Sequence, residues 1–320
     1  MHNDGKRFAQ DRAVRAAHSK SKLSTADTFN DYRSVSVFAI QNYRVRSKAD
    51  RVWVTVAFFL CCCGAASAQT QSAPAATEPP FIVPARPTVS NPAEFQKPGV
   101  LQLELGYNAN LHASGVSSEQ DTPIAIRFAA SSRVLLEADI DAVILQTATG
   151  QEKVAGFGDC QFGIQTVLLH EHQTSPGVAL AYYIKTPTAS STNGLGTGRV
   201  DHNFIALVSK TVDRTTLDLN AIYLLAGRTS GKGHALSGQG AFAVSEALTK
   251  RFGVQGEISG FSRNDEQRGA MVGLSVATYQ VNERLVLDAG VRFGLTHGAP
   301  STGFVAGMTV GVADLYRKKR

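Results

Sequence analysis

Along most of this chain, apolar and polar residues alternate one by one. In Leu101, Leu103, Leu105 and Tyr107 the odd positions are apolar, with Gln102, Glu104 and Asn108 between and beyond them. A period of two puts alternate side chains on opposite faces of an extended strand. The alternation returns in Leu217, Leu219, Ala221 and Tyr223 against Asp218 and Asn220, and in Leu285, Leu287, Ala289, Val291 and Phe293 against Asp288 and Arg292. It predicts about twelve strands, roughly at 99–110, 121–130, 133–144, 155–169, 176–187, 200–211, 214–226, 236–248, 251–262, 268–279, 283–295 and 302–314. Globular strands average about five or six residues, whereas a tilted strand crossing a bilayer needs about nine to eleven, and these segments are of the second kind.

The connections alternate in length as well. Ser131-Ser132, His170 to Ser175, Val212-Asp213, Lys250 and Gln280 to Asn282 are short, while Thr147 to Lys153, Ala189 to Arg199 and Gly227 to Ala235 are longer and rich in Gly, Ser and Thr. Short turns on one side and long loops on the other are the asymmetry of outer-membrane barrels, and an even strand count returns the C-terminus to the periplasm where the first strand begins. A soluble β-sandwich would alternate too. The uniform length of the segments, their unbroken succession and the leader described below weigh against it. After that leader no apolar run is long enough for a spanning helix, so a closed barrel is the arrangement that satisfies every backbone group in lipid. The expected fold is all-β, an antiparallel transmembrane β-barrel of about 12 strands in the bacterial outer membrane.

The leader is the run VWVTVAFFLCCC from Val52 to Cys63, preceded by Arg44, Arg46, Lys48 and Arg51 and followed by GAASAQT. At about twelve residues it has the length of a signal-peptide core and falls well short of the roughly 20 that span a bilayer as a helix. Ala66 and Ala68 supply the small-residue pattern for cleavage before Gln69. Residues 1–68 are therefore read as an N-terminal extension and signal peptide. Residues 69–98 are read as a periplasmic linker, because they hold seven of the eleven prolines with no apolar period. Residues 99–320 are read as the barrel.

This division changes the meaning of the charge. The whole chain carries 32 Lys/Arg against 26 Asp/Glu, a formal +6. Residues 1–68 hold eleven basic and five acidic residues, leaving 32 − 11 = 21 and 26 − 5 = 21 beyond them. A neutral mature chain gives no reason to expect nucleic acid as a partner. Three of the four cysteines, Cys61 to Cys63, fall in the leader, so Cys160 has no partner for a disulfide within one mature chain.

Several local motifs coincide with a known family. Arg86-Pro87, Pro98-Gly99 leading into LQLELGY, GFGD at Gly156 to Asp159, KTPT at Lys185 to Thr188 and GLGTGRVD at Gly194 to Asp201 resemble, in order and spacing, the meta-pathway phenol-degradation family. The resemblance runs roughly from Ile82 to Tyr316. It implies an outer-membrane barrel of a kind found beside catabolic genes and often labelled simply a transporter, and it bears on location and fold more than on substrate. Such barrels usually end on an aromatic residue, a part that falls here to Tyr316. The glycines of GLGTGRVD match no phosphate-binding loop and are read as an extracellular loop, whereas Gly156 and Gly158 within a strand pattern suggest a bulge.

If the apolar set faces lipid, the lumen-lining set is Glu104, Glu137, Asp139, Asp141, Lys185, Asp218, Glu257, Asp288 and Arg292, with the uncharged Asn220 and Gln255 beside them. Seven acids against two bases would favour cations or neutral solutes over anions. The function expected is a passive channel or transporter for small solutes, with aromatic or hydrophobic catabolic substrates as one class. The competing expectation is a closed structural or adhesion barrel in which these groups pair with one another. A lipid hydrolase is the rival from another class, but no nucleophile motif accompanies Ser209 and His202. His170 and His172 in HEH form a metal pattern of low specificity. No catalytic residue, metal site or cofactor is expected. The expected partners are outer-membrane lipid, the barrel-assembly machinery and an unidentified small-molecule solute.

Overall fold

The computed structural model describes residues 79–113, 116–148, 152–229, 231–264 and 269–317. The signal leader, its cleavage residues Ala66, Ala68 and Gln69, and the last three basic residues of the C-terminal tail lie outside the described residues. The strands are β1 (Val100–Ala113), β2 (Val116–Ala129), β3 (Val134–Ala148), β4 (Lys153–Gly156), β5 (Cys160–Leu169), β6 (Gly177–Thr186) and β7 (Asp201–Val212). They continue as β8 (Thr215–Gly227), β9 (His234–Ala247), β10 (Phe252–Phe261), β11 (Ala270–Asn282), β12 (Leu285–Gly294) and β13 (Thr302–Asp314). Neighbours pair antiparallel, and β1 pairs with both β2 and β13, so the sheet closes on itself. The short β4 and the longer β5 both pair with β3, one beyond the other, and act as two halves of one strand. The fold is thus a closed antiparallel barrel of twelve strands.

The break between β4 and β5 falls where the glycine pattern suggested a bulge. A Cβ on Gly158 would lie 2.8 Å from Asp141 Cβ, and the Gly158 N–H donates to the Asp141 carbonyl at 2.8 Å. Only a residue without a side chain lets the two backbones approach so closely. On β3 the register shifts between the pairs Asp121↔Ile144 and Pro123↔Asp141, so the facing pattern changes over there: Val143 is exposed whereas Ile144 and Gln146 are buried. The β1–β2 hairpin is also longer than the sequence suggests. Ser118 and Glu119 pair with Leu111 and Asn110, because a barrel wall extends its ladder through polar residues once it rises above the bilayer.

The two faces differ in chemistry. Ile126, Phe162, Leu180, Phe204, Leu219, Leu236, Met271 and Phe304 all stand on the outer face and are exposed. Polar and charged residues on the opposite face, including Gln102, Arg127, Asn220, Glu257 and Thr309, are buried. An apolar exterior around a polar interior inverts the soluble arrangement and suits a barrel in lipid. Exposed aromatic residues occur at both ends of the wall, with Tyr107 and Tyr223 toward the long loops and Phe252, Tyr279 and Tyr316 toward the short turns. Tyr316 donates to the Ala130 carbonyl at 2.9 Å and meets Phe128 edge-on at 6.1 Å between ring centroids, fixing the C-terminus across β1 onto β2.

Candidate functional site

The interior is occupied by the chain's own N-terminal segment. The prolines before β1 suggested an extended or disordered linker. From Pro79 onward the backbone has neither helix nor strand, yet it is bound to the inner wall along its length. The Lys97 N–H donates to the Pro80 carbonyl at 3.0 Å, so the two ends of the segment meet at the short-turn rim. Its reach, about 60 Å for seventeen residue steps, is enough for one circuit of the lumen.

Its contacts follow the strands around the wall in spatial order. The Val83 and Ala85 N–H groups donate to Gln102 Oε1 and Glu104 Oε1 on β1, at 3.0 and 2.9 Å. Arg86 forks onto both oxygens of Asp288 on β12, at 3.0 and 3.2 Å, and donates to the Ala306 carbonyl on β13 at 2.9 Å. Glu257 on β10 accepts three bonds, from Val89 N at 3.1 Å, Ser90 N at 2.7 Å and Ser90 Oγ at 2.9 Å. Asn220 on β8 accepts from Asn91 N at 2.7 Å and donates to the Asn91 carbonyl at 2.9 Å. Ser209 on β7 accepts from Ala93 N at 2.8 Å, and Gln165 on β5 donates to the Pro92 and Ala93 carbonyls, each at 3.0 Å. Gln96 then donates to the Arg127 carbonyl on β2 at 3.1 Å. The segment Pro80 to Lys97 is an inner hoop, tied at one level to β1, β13, β12, β10, β8, β7, β5 and β2. A backbone without regular structure has no internal partners, so it needs such donors and acceptors on the wall.

Apolar side chains seat the hoop between these ties. Val89 packs against Phe261, Ala270, Val272 and Ala299. Ala93 lies with Ala179, Ala181, Tyr183 and Leu207. Phe95 lies with Ala129, Leu135 and Val167, and burying such a ring is worth about 1.5–3 kcal/mol. Room for Arg86 comes from two glycines paired across β1 and β13. A Cβ on Gly106 would fall 1.9 Å from Arg86 Nη1, and one on Gly307 would fall 2.4 Å from its Cζ. The motif residues Arg86 and Gly106, remote in sequence, therefore share one slot.

The sequence-predicted lumen residues divide between two levels. Glu104, Asp218, Glu257 and Asp288 lie at the level of the hoop, and three of them bind it; Asp218 instead accepts from Ser209 Oγ, which holds the Ala93 N–H. Glu137 accepts from Arg127 Nε at 3.1 Å and from Tyr183 Oη at 3.1 Å. Asp139 accepts from Gln161 at 3.4 Å, Asp141 lies beside Gly158, and Arg292 donates to Asn110 Oδ1 at 3.4 Å. Arg127, absent from that lumen-lining set, also points inward by strand alternation. Its side chain is fully buried and joins Glu137 to Glu104 Oε1, at 3.3 Å, and to the Val83 carbonyl, at 2.9 Å. The acid-rich lining is thus partly neutralised by Arg127 from the wall and Arg86 from the hoop.

At the long-loop end three more motifs converge. Lys185 Nζ lies 2.9 Å from Asp159 Oδ2, 2.9 Å from Asp201 Oδ2 and 3.0 Å from Thr197 Oγ1. Asp159 also accepts from Ala189 N and Asp201 from Gly227 N, at 2.9 and 2.8 Å. Leu195 is buried over Gly156. GFGD, KTPT and GLGTGRVD therefore form one clamp that holds the loop from 187 to 200 against the barrel mouth. Removing one partner of a buried ion pair costs about 3–5 kcal/mol. In a Lys185→Met variant the loop amides, including Ala189, are expected to exchange hydrogen faster on the order of a hundredfold, as read by mass spectrometry. Unchanged exchange would show that the loop is held by other means.

Ser209 and His202 do not come together. They lie seven residues apart on β7, about 23 Å along the strand, with Ser209 buried against the hoop and His202 on the outer face beside Tyr182. His170 is spent on the hoop, its Nδ1 lying 3.0 Å from Glu94 Oε1. Among the described residues no group of three or more His, Cys, Asp or Glu is arranged to hold a metal ion.

An outer-membrane channel from Pseudomonas putida F1 has the same fold, with a TM-score of 0.55 at 11% identity, over 68% of this chain and 97% of that one. The NanC porin matches more loosely, with a TM-score of 0.46 at 7% identity over 66% of this chain and 98% of its own. The KdgM porin gives 0.43 at 8% over 67% and 99%. No curated protein matches the chain in sequence. Residues 84–310, most of the hoop and nearly all of the barrel, match the profile described as "Putative MetA-pathway of phenol degradation", and the chain belongs to that family.

Proposed function

We propose that the protein is a passive outer-membrane channel for small solutes, with neutral aromatic compounds as the expected class. The observation that carries this reading is the chemistry of the wall: an apolar exterior encloses a buried polar inner face that includes Gln102, Asn220, Glu257 and Asp288. Acidic groups at both levels of the lumen disfavour anions, and the family's description supports an aromatic substrate class. The hoop itself favours a second reading, a barrel held closed.

Reconstitution in planar bilayers separates the two. A channel gives discrete conductance steps with cation preference, and liposomes containing it take up phenol faster than protein-free liposomes do, with no such gain for benzoate at neutral pH. A silent bilayer together with phenol uptake no faster than in protein-free liposomes would sink the channel reading and leave the closed barrel.

A further inference from the structure

The outer face of β6–β9, at the long-loop end, carries a cluster that neither the lumen nor the hoop uses. Tyr182 Oη lies 2.8 Å from His202 Nδ1, and the Tyr182 ring stacks on the His202 imidazole at 6.1 Å between centroids. The His202 and His234 rings are 5.6 Å apart, and Phe204 packs on Tyr182 at 5.1 Å. His234 pairs across the ladder with Gly227. A Cβ on Gly227 would fall 2.6 Å from Arg199 Cβ and 3.4 Å from its Cγ, so this glycine makes room for the base of the Arg199 side chain. The next loop adds Lys232, exposed at its tip.

Two further observations give this cluster a direction. The connecting segments 187–200 and 228–233 contain Arg199, Arg228 and Lys232 and no acidic residue, whereas the other long loops that carry basic residues mix both signs. Directly below the cluster the wall is aromatic and aliphatic, with Phe204, Tyr223 and Leu236 exposed. Basic groups set immediately above a lipid-facing aromatic band lie at headgroup depth, where a cation meets a phosphate and the rings meet the first acyl carbons. Guanidinium is suited to phosphate because its planar fork bonds two oxygens at once.

We infer that Arg199, Lys232, His202 and His234 form a binding site for a phosphate-bearing glycolipid of the outer leaflet. The site lies on the lipid side of the wall and does not depend on transport, so a silent bilayer would leave it standing. The test is native mass spectrometry of the full-length protein in detergent, with bisphosphorylated lipid A as probe and its dephosphorylated form as reference. The phosphorylated lipid is expected to be retained on the order of tenfold better, and an Arg199→Gln/Lys232→Gln variant to lose that preference. A Lys250→Gln/Arg251→Gln variant at the opposite rim should keep it. Equal retention of the two lipids, undiminished preference in R199Q/K232Q, or complete displacement of the lipid by millimolar inorganic phosphate would each overturn the inference, the last by showing a site for free anions.

Discussion

Excising the hoop is expected to raise single-channel conductance on the order of tenfold, because a twelve-stranded wall then encloses a lumen limited only by its own side chains. The excision is geometrically mild. Pro80 and Lys97 already meet through a 3.0 Å hydrogen bond, so a short glycine link can join them without disturbing the entry into β1 at Val100. The freed wall groups exchange their hoop bonds for water, three at Glu257 and two each at Asn220, Gln165 and Asp288, and for a neutral pair that trade nets roughly 0.5–1.5 kcal/mol per bond. The barrel should therefore still migrate as a folded species in unheated gels and shift only on heating. Wild-type conductance in a variant that passes this check would mean that the hoop does not obstruct the path.

The second large effect concerns Arg127. Its guanidinium is fully buried and bridges Glu137 and Glu104 while holding the hoop carbonyl of Val83. An Arg127→Leu variant nearly keeps the volume but leaves the Glu104 and Glu137 carboxylates without the guanidinium that joins them, and a broken buried pair costs about 3–5 kcal/mol. Urea unfolding in lipid vesicles should show that loss. Arg127→Lys restores the charge but not the planar fork, so it should recover only part of it. A leucine variant as stable as the parent would mean that water or protonation already compensates the carboxylates.

The wall was legible in the sequence because every strand of a barrel meets the same two solvents. Alternation alone then sorts Leu219 from Asn220 and Leu287 from Asp288. Arg127, between Ile126 and Phe128, obeys the same rule but is missing from the lumen-lining set, being a single basic residue in an apolar stretch. The rule failed where the period breaks. The irregularity at residues 142 and 143 of β3 changes the facing pattern without any composition signal, and Ser118 reads as loop although it lies in a ladder. The hoop was the least legible element. Its ties run from backbone groups to distant side chains, which leave no period to detect. What set it apart from a true linker was apolar content: Phe81, Ile82, Val83, Val89 and Phe95 stand among the prolines, and a chain that stays in water gains nothing from them.

The circuit of the hoop has a further consequence for folding. Read backward from Gln96 to Arg86, its ties join residues ever farther apart in sequence: 31 positions for Gln96 with Arg127, 72 for Ala93 with Gln165, 116 for Ala93 with Ser209, 129 for Asn91 with Asn220, 167 for Ser90 with Glu257 and 202 for Arg86 with Asp288, before Ala85 and Val83 return to β1 over 19. Loop-closure entropy rises with each step, and each anchoring strand joins the wall later than the one before. The hoop can therefore be wound in from its C-terminal end as strands are added, so the lumen need never stand empty while the barrel is built.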